Sequence, residues 1–153
     1  MKYIGIADTT FARYDMAKDV IAILSQYPGK VQWFRYTVPG IKDLPIAALK
    51  LFRDKDCHLV LALGMPGPTV KDKASTQIAS EGLMQVQLKI EKHILEVFVH
   101  EDEATTPEEL RSIMQDRASK HAQNAVDLLF NQSRLTRRAG QGIRQGYSDA
   151  GPI

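Results

Sequence analysis

The chain has 153 residues, a length typical of one domain with a sizeable hydrophobic core. Its 20 Lys and Arg residues against 18 Asp and Glu give a net charge of +2, too close to balance to indicate nucleic acid or a membrane as the main partner. Cys57 is the only cysteine, which excludes an intrachain disulfide and favours a reducing compartment. The N-terminal apolar run is too short for a signal sequence and no segment approaches the length of a membrane span, so we expect a cytoplasmic protein.

Four short β-like runs alternate with longer helical patterns along the chain, at residues 3–7, 31–38, 58–63 and 94–100. This order is typical of a parallel sheet that is covered by helices on both faces. The pattern predicts a single three-layer α/β/α domain with a four-stranded parallel sheet over residues 1–130.

Apolar residues recur at helical spacing between the predicted strands. The first helical face contains Met16, Val20, Ile21 and Leu24, and the second contains Leu44, Ala47, Ala48, Leu51 and Phe52. A third helix is predicted from about residue 70 to 91, where no breaker interrupts the pattern. The fourth has the clearest start, with Thr106 as N-cap, Pro107 at the first helical position and Glu109 completing a capping box.

Residues 131–153 form a tail rich in Arg and Gly, with Asp149 as the only acidic residue. Such a composition does not predict a regular core element, so the tail either frays or packs against a partner. RNA binding is a further alternative, although the arginines are sparse and only Tyr147 offers an aromatic surface to a base.

Unusual residues follow the first three predicted strands. Thr10 and Phe11 come after the first strand, the pair Pro39-Gly40 breaks the second, and residues 64–66 (Gly-Met-Pro) end the third. Since the carboxyl ends of parallel strands lie at one edge of a sheet, all three segments open on the same side. Pro39 fixes φ, and Gly40 permits either a positive φ or a close approach of a ligand to the backbone.

Two Gly/Pro turns beside an aromatic side chain predict a pocket for a flat ring. Phe11 is the candidate to stack on the ring, and the backbone near Gly40, Ile41, Gly64 and Met65 is the candidate to hydrogen-bond its edge. Two simpler explanations stay open: the Phe side chain packs beneath its own loop, and the Pro-Gly turn is only a tight connection.

The fourth strand ends in an ionisable run, His100-Glu101-Asp102-Glu103. His100 is a candidate for proton transfer, because an imidazole can exist in both protonation states near neutral pH. The acids are equally well explained as favourable charges before a helix N-terminus. Mg²⁺ held by Glu101 or Asp102 is an open alternative without a dedicated ligand spacing. The other histidines are scattered and are predicted to be structural: His58, His93 and His121.

The chain lacks the glycine-rich fingerprints of dinucleotide and phosphate binding, and it has no Gly-x-Ser-x-Gly nucleophile motif. Cys57 directly precedes the third strand and is predicted to be buried packing. We therefore expect neither an organic cofactor nor covalent serine or cysteine catalysis.

Several blocks of the sequence, taken together, resemble the archaeal-type riboflavin synthases, a pentameric family related to the lumazine synthases. The blocks are residues 8–13, 37–45, 62–67, 96–104, 135–137 and 144–152. They occur in the expected order and spacing over nearly the whole chain, which makes chance similarity a poor explanation. The resemblance implies the flavodoxin-like fold of lumazine synthases, a ring-shaped homopentamer with each site between neighbouring subunits, and a tail that packs on the adjacent subunit.

The resemblance also implies roles for individual residues. Lumazine synthases carry Val-Pro-Gly-Ala-Phe-Glu-Leu-Pro where this chain has residues 38–45, so Asp43 takes the place of the Glu that binds the ribityl chain, and Phe11 takes the place of the stacking aromatic. His100 is the proposed catalytic base. The implied substrate-binding set is Thr10, Phe11, Pro39, Gly40, Ile41, Lys42, Asp43, Gly64, Met65, Pro66, Glu101, Arg137 and Arg144.

The reaction implied by the resemblance is the dismutation of two 6,7-dimethyl-8-ribityllumazine molecules into riboflavin and 5-amino-6-ribitylaminouracil. Lumazine synthases have an Arg-Gly-Asp-Thr-Pro-His run at the third strand end, where this chain has residues 65–72 without that Arg and His. This departure argues against lumazine synthesis. A lumazine synthase and a non-enzymatic lumazine- or flavin-binding protein are the two alternatives.

Overall fold

A four-stranded parallel sheet with strand order β2-β1-β3-β4 forms the centre of the molecule, in a computed structural model that describes residues 1–153. The strands are β1 (Lys2–Thr9), β2 (Val31–Val38), β3 (Leu59–Gly64) and β4 (Ile94–Phe98). The helices are α1 (Met16–Leu24), α2 (Leu44–Lys55), α3 (Val70–Ile90), α4 (Pro107–Phe130) and α5 (Gln132–Arg137). The predicted order of strands and helices is confirmed.

The helices cover both faces of the sheet, which confirms the three-layer prediction. Ile4 and Ile6 of β1 pack with α1 and α4 on one face, whereas Ala7 packs with α2 on the other. All residues of β3 are buried, as expected for a central strand covered on both sides. Cys57 is fully buried, as predicted, and burial raises the pKa of its thiol to about 11.

Three local features differ from the sequence prediction. β4 ends at Phe98, two residues earlier than predicted, because after Val99 the chain turns into a single 3-10 turn, Glu101–Glu103. The Thr106 hydroxyl accepts the Glu109 N–H at 3.2 Å, but the Glu109 carboxylate contacts the Thr105 hydroxyl, so only half of the capping box forms. A complete capping box instead starts α3, at Thr69.

The tail begins with the short helix α5, which has no buried residue, and then continues without regular structure. Residues 145–147 return to α4 and to the turn after β4, so the tail has contacts within its own chain. Its predicted packing on a neighbouring subunit stays a prediction. None of the helices combines the length and apolar character needed to cross a membrane.

Candidate active site

The loops after β1 and β2 are joined directly at the carboxyl edge of the sheet. The Thr10 N–H donates to the Val38 carbonyl at 2.9 Å, and the Phe11 N–H donates to the Pro39 carbonyl at 3.2 Å. The Thr10 hydroxyl also donates to the Pro39 carbonyl, at 3.3 Å. With its backbone fixed in this way, Phe11 is 55% exposed, so it does not pack beneath its own loop and its ring is available for stacking.

A groove of about 250 Å³ opens beside Phe11, and we call it the turn groove. It is lined by Phe11, Gly40, Ile41, Lys42, Asp43, Pro66, Gly67, Asp72 and Ser75. The structure thus brings six of the predicted substrate-binding residues to one place. The predicted set does not contain the other three, Gly67, Asp72 and Ser75; the position of the last two follows from the packing of α3.

Asp43 stabilises the turn that forms one wall of the turn groove. Its Oδ2 accepts the Gly40 N–H at 3.1 Å, and its Oδ1 has no partner within the chain. Gly40 has φ −137°, so of the two possibilities that glycine offers here the structure does not use the positive φ. A Cβ at this position would meet only Asp43 Oδ2, at 3.8 Å, which leaves the backbone open to close approach by a ligand.

Gly64 and Met65, although predicted to bind substrate, do not line the turn groove. A Cβ at Gly64 would lie 2.8 Å from the Phe98 ring, so the close packing of β3 and β4 requires glycine here. The Gly64 carbonyl accepts the Val99 N–H at 3.0 Å. Met65 is only 3% exposed, and its Sδ accepts the Arg13 N–H at 3.3 Å. The carbonyl of Gly64 and the side chain of Met65 are therefore occupied within the chain.

His100 lies in a second, larger groove of about 750 Å³, which we call the histidine groove. Its lining comes from α3, β4, the turn after β4, α4 and the tail: Lys73, Thr76, Gln77, Ser80, Glu96, Phe98, His100, Asp102, Glu103, Arg117, His121 and Gln145. The two grooves share no lining residue, and α3 separates them, since Asp72 and Ser75 line one and Lys73 lines the other. Within one chain the candidate base and the candidate stacking residue are therefore apart.

His121 was predicted to be structural, but it lines the histidine groove with His100. The Nδ1 atoms of both histidines are buried and have no hydrogen-bond partner in the chain. Burial, with the charge of Arg117, lowers the pKa of His121 to about 4, so the ring is neutral at pH 7. For His58 the structural prediction is confirmed: its Nδ1 accepts the Tyr3 N–H at 3.1 Å.

A buried ion pair between Glu103 and Arg117 lies next to His100, with Oε2 of the acid 2.9 Å from Nη1 of the arginine. Burial raises the pKa of Glu103, but hydrogen bonds from Arg117, Tyr147 and the His100 N–H lower it to a net value below the ordinary one. Sequence analysis missed Arg117. A signal was present, because a charged residue at position 117 interrupts the apolar stripe of α4 at helical spacing.

The acids that were candidates for Mg²⁺ binding are both paired with cations. Arg13 lies 3.2 Å from Glu101, and Lys73 lies 2.6 Å from Asp102. No group of three His, Cys, Asp or Glu side chains is arranged to hold a metal ion. Both carboxylates are therefore engaged by cations within the chain, and Mg²⁺ binding stays a prediction.

The predicted tail arginines lie outside both grooves. Arg137 belongs to α5, where its Nη1 lies 3.3 Å from the Ser133 hydroxyl. The Arg144 N–H donates to Asp149 Oδ1 at 2.9 Å, and its side chain is exposed. The structure therefore does not bring either arginine to Phe11 or His100.

Comparison with known proteins gives one family and several close relatives. The model of the 6,7-dimethyl-8-ribityllumazine synthase family matches residues 2–132. A riboflavin synthase of Methanothermobacter thermautotrophicus is 54% identical over 150 residues, covering 98% of both chains. A riboflavin synthase of Archaeoglobus fulgidus is 51% identical over 98% of this chain and 97% of its own. One from Aeropyrum pernix is 46% identical over 99% of this chain and 98% of its own.

Proposed function

The chain belongs to the 6,7-dimethyl-8-ribityllumazine synthase family. Within this family we propose that it is a riboflavin synthase, an enzyme that uses 6,7-dimethyl-8-ribityllumazine as its substrate instead of forming it. It converts two 6,7-dimethyl-8-ribityllumazine molecules into riboflavin and 5-amino-6-ribitylaminouracil, by transfer of a four-carbon unit. The observation that carries this proposal is the high identity to relatives named riboflavin synthase over nearly the full length of both chains.

The segment from β3 to α3 supports this function over lumazine synthesis. Residues 65–72 contain neither Arg nor His, the residue types that supply phosphate contacts and a base in the lumazine synthases that the chain resembles. In their place Thr69 and Asp72 form the cap of α3, which adds a carboxylate to the lining of the turn groove. A carboxylate beside the ligand disfavours a phosphorylated substrate.

The turn groove fits a ribitylated flat ring. The exposed Phe11 ring stacks on one face of a lumazine, and the free Oδ1 of Asp43 accepts a hydrogen bond from a ribityl hydroxyl. The turn itself is held by the Gly40–Asp43 hydrogen bond, so these groups are positioned before the ligand arrives.

The chemistry begins with loss of a proton from a ring methyl group, whose carbanion is delocalised into the pteridine. His100 is the group that moves this proton, because its buried Nδ1 has no partner within the chain. Holding two lumazines face to face contributes roughly 7–11 kcal/mol relative to a bimolecular encounter, the range for well-oriented reactants. Addition and elimination then form the two products, and no net oxidation or reduction occurs.

The active site is composite, with the turn groove of one subunit facing the histidine groove of the next. Two features support this arrangement: the grooves share no lining residue, and α3 lies between them, so Phe11 and His100 of one chain do not line a common groove. A head-to-tail contact of this kind generates a ring when the rotation between neighbours closes. The ring is a homopentamer, as the resemblance of the sequence implies.

Incubation of the purified protein with 6,7-dimethyl-8-ribityllumazine alone tests the function. We expect riboflavin and 5-amino-6-ribitylaminouracil in equal amounts. Tight binding of lumazine without either product would instead identify a non-enzymatic binding protein. Lumazine formation only after a phosphorylated four-carbon substrate is added would identify a lumazine synthase.

Mixing two impaired variants tests the composite site, with turnover assayed at lumazine concentrations well below KM, where both variants are slow. Phe11→Ala and His100→Ala damage different grooves, so co-refolded mixed rings contain some interfaces with two intact halves. We expect such mixtures to turn over faster than the average of the two variants. If each subunit carried a complete site, the mixture would show only that average.

A further inference from the structure

We infer that the C-terminal segment 145–147 positions His100, through a hydrogen-bonded cluster made of Glu103, Tyr147 and the buried Arg117. We call these three residues the Glu103 cluster. The inference rests on the proposed function, in which His100 moves protons. In this arrangement the tail helps to hold His100 in place. Arg117, Glu103 and Tyr147 are then positioning residues for His100.

Glu103 is the centre of the cluster, because three donors from different parts of the chain meet on its carboxylate. Its Oε2 accepts the backbone N–H of His100 at 2.7 Å and Nη1 of Arg117 at 2.9 Å. Its Oε1 accepts the Tyr147 hydroxyl. The hydrogen bond to the backbone fixes the start of the 3-10 turn at which His100 leaves the sheet.

Arg117 connects this turn to the end of β4 and to the tail. Arg117 is only 8% exposed, and its guanidinium donates to the Phe98 carbonyl at 2.9 Å and to the Gln145 carbonyl at 3.1 Å. It also stacks against the Tyr147 ring, with 5.0 Å between Cζ and the ring centroid. The residues on both sides of His100 are thus held by one buried arginine.

Gly146 lets the tail approach this arginine closely. Its φ is +87°, and a Cβ there would lie 2.6 Å from Nε of Arg117. The Gly146 N–H donates to Asp116 Oδ2 at 2.8 Å, which anchors the segment to α4. A side chain at residue 146 would therefore push the tail away from the Glu103 cluster.

Tyr147→Phe tests the inference with little risk to folding, because Tyr147 is 50% exposed and the ring is kept. We expect kcat for riboflavin formation to fall roughly 3- to 10-fold, the effect of one lost hydrogen bond on a positioned group, with KM changed less than twofold. The matched control is Tyr27→Phe, which also loses a tyrosine hydrogen bond, to Gln123, but lies at the opposite edge of the sheet.

Gly146→Ala against Gly140→Ala gives a second matched pair. Both glycines have positive φ, at +87° and +81°, but a Cβ at Gly140 would meet nothing within 4 Å. We expect Gly146→Ala to lower kcat at least as much as Tyr147→Phe, and Gly140→Ala to leave it near the wild-type value. Equal effects of the two alanines would overturn the inference, since backbone strain alone would then explain them.

NMR of the His100 imidazole, in protein labelled at histidine, separates this inference from the proposed function. In the absence of any substrate we expect Tyr147→Phe and Gly146→Ala to shift the His100 ring signals and broaden them, while the His93 signals stay in place. An unchanged His100 signal in both variants would overturn the inference even if the wild-type protein makes riboflavin. If the wild type makes none, shifted His100 signals still support the positioning by the tail.

Discussion

Asp43 accepts the backbone N–H of Gly40 through Oδ2 at 3.1 Å and keeps Oδ1 free at the turn groove. One carboxylate thus both holds the turn and offers an acceptor to a ligand. Substitutions of Asp43 must therefore separate the loss of the turn contact from the loss of the free acceptor.

Asp43→Ala removes both contacts, so we expect lumazine binding to weaken by about 1–3 kcal/mol. Asp43→Asn keeps an oxygen for the Gly40 N–H but replaces the free Oδ1 acceptor with an NH2 donor, so its binding should fall between that of Ala and wild type. Isothermal titration with lumazine measures both. Wild-type affinity in Asp43→Ala would remove this residue from the ribityl site.

Phe11→Ala should weaken lumazine binding by roughly 1–2 kcal/mol, because it removes the stacking surface. The melting temperature should stay near the wild-type value, since the side chain is 55% exposed. Phe130→Ala is the control, because that ring is 44% exposed at the end of α4 and lines neither groove. Equal effects of the two substitutions on affinity would contradict a stacking role for Phe11.

His100→Ala should lower kcat by roughly 10²- to 10⁴-fold, the usual range for loss of a general acid or base. Lumazine affinity should change much less. His93→Ala removes an exposed histidine outside both grooves and should leave turnover intact. Single-turnover kinetics with lumazine measure the chemical step. A His100→Ala protein with normal turnover would assign the proton transfer to another group.

The buried His121 predicts a pH dependence of stability. Its pKa is lowered from 6.5 to about 4 by burial and by Arg117, so between these values the unfolded chain binds more protons than the folded one. The free energy of unfolding therefore rises with pH over this window, and stability present above pH 6.5 is lost as the pH falls toward 4. The contribution is on the order of 3 kcal/mol.

Urea unfolding at several pH values measures this contribution in His121→Gln. We expect a flatter slope of stability against pH between 4 and 6.5 than in the wild type, whatever the absolute stability of the variant. His93→Gln, at an exposed position, should keep the wild-type slope. An unchanged slope in His121→Gln would show that the ring is charged in the folded state.

The predictions that succeeded depend on local patterns. Alternating apolar runs gave the strands of the sheet, and the Pro-Gly turn indicated a ligand-binding edge at which Phe11 and Asp43 now lie together. One expectation failed within a few residues, because Glu109 contacts Thr105 instead of closing its capping box. At Gly40 the Asp43 cap holds an extended conformation, so of the two possibilities that glycine offered, the structure does not use the positive φ.

The sequence by itself determined the order of strands and helices and the edge of the sheet where the loops gather, because hydrophobic periodicity and turn residues act over a few residues. Only the tertiary structure decided that the loops at this edge divide into two grooves, with α3 between them. It also decided that Arg117, within an apolar stripe, pairs with Glu103 and is contacted by the tail. These contacts join residues up to 44 positions apart in the chain, and such pairings are set by packing, which no local pattern encodes.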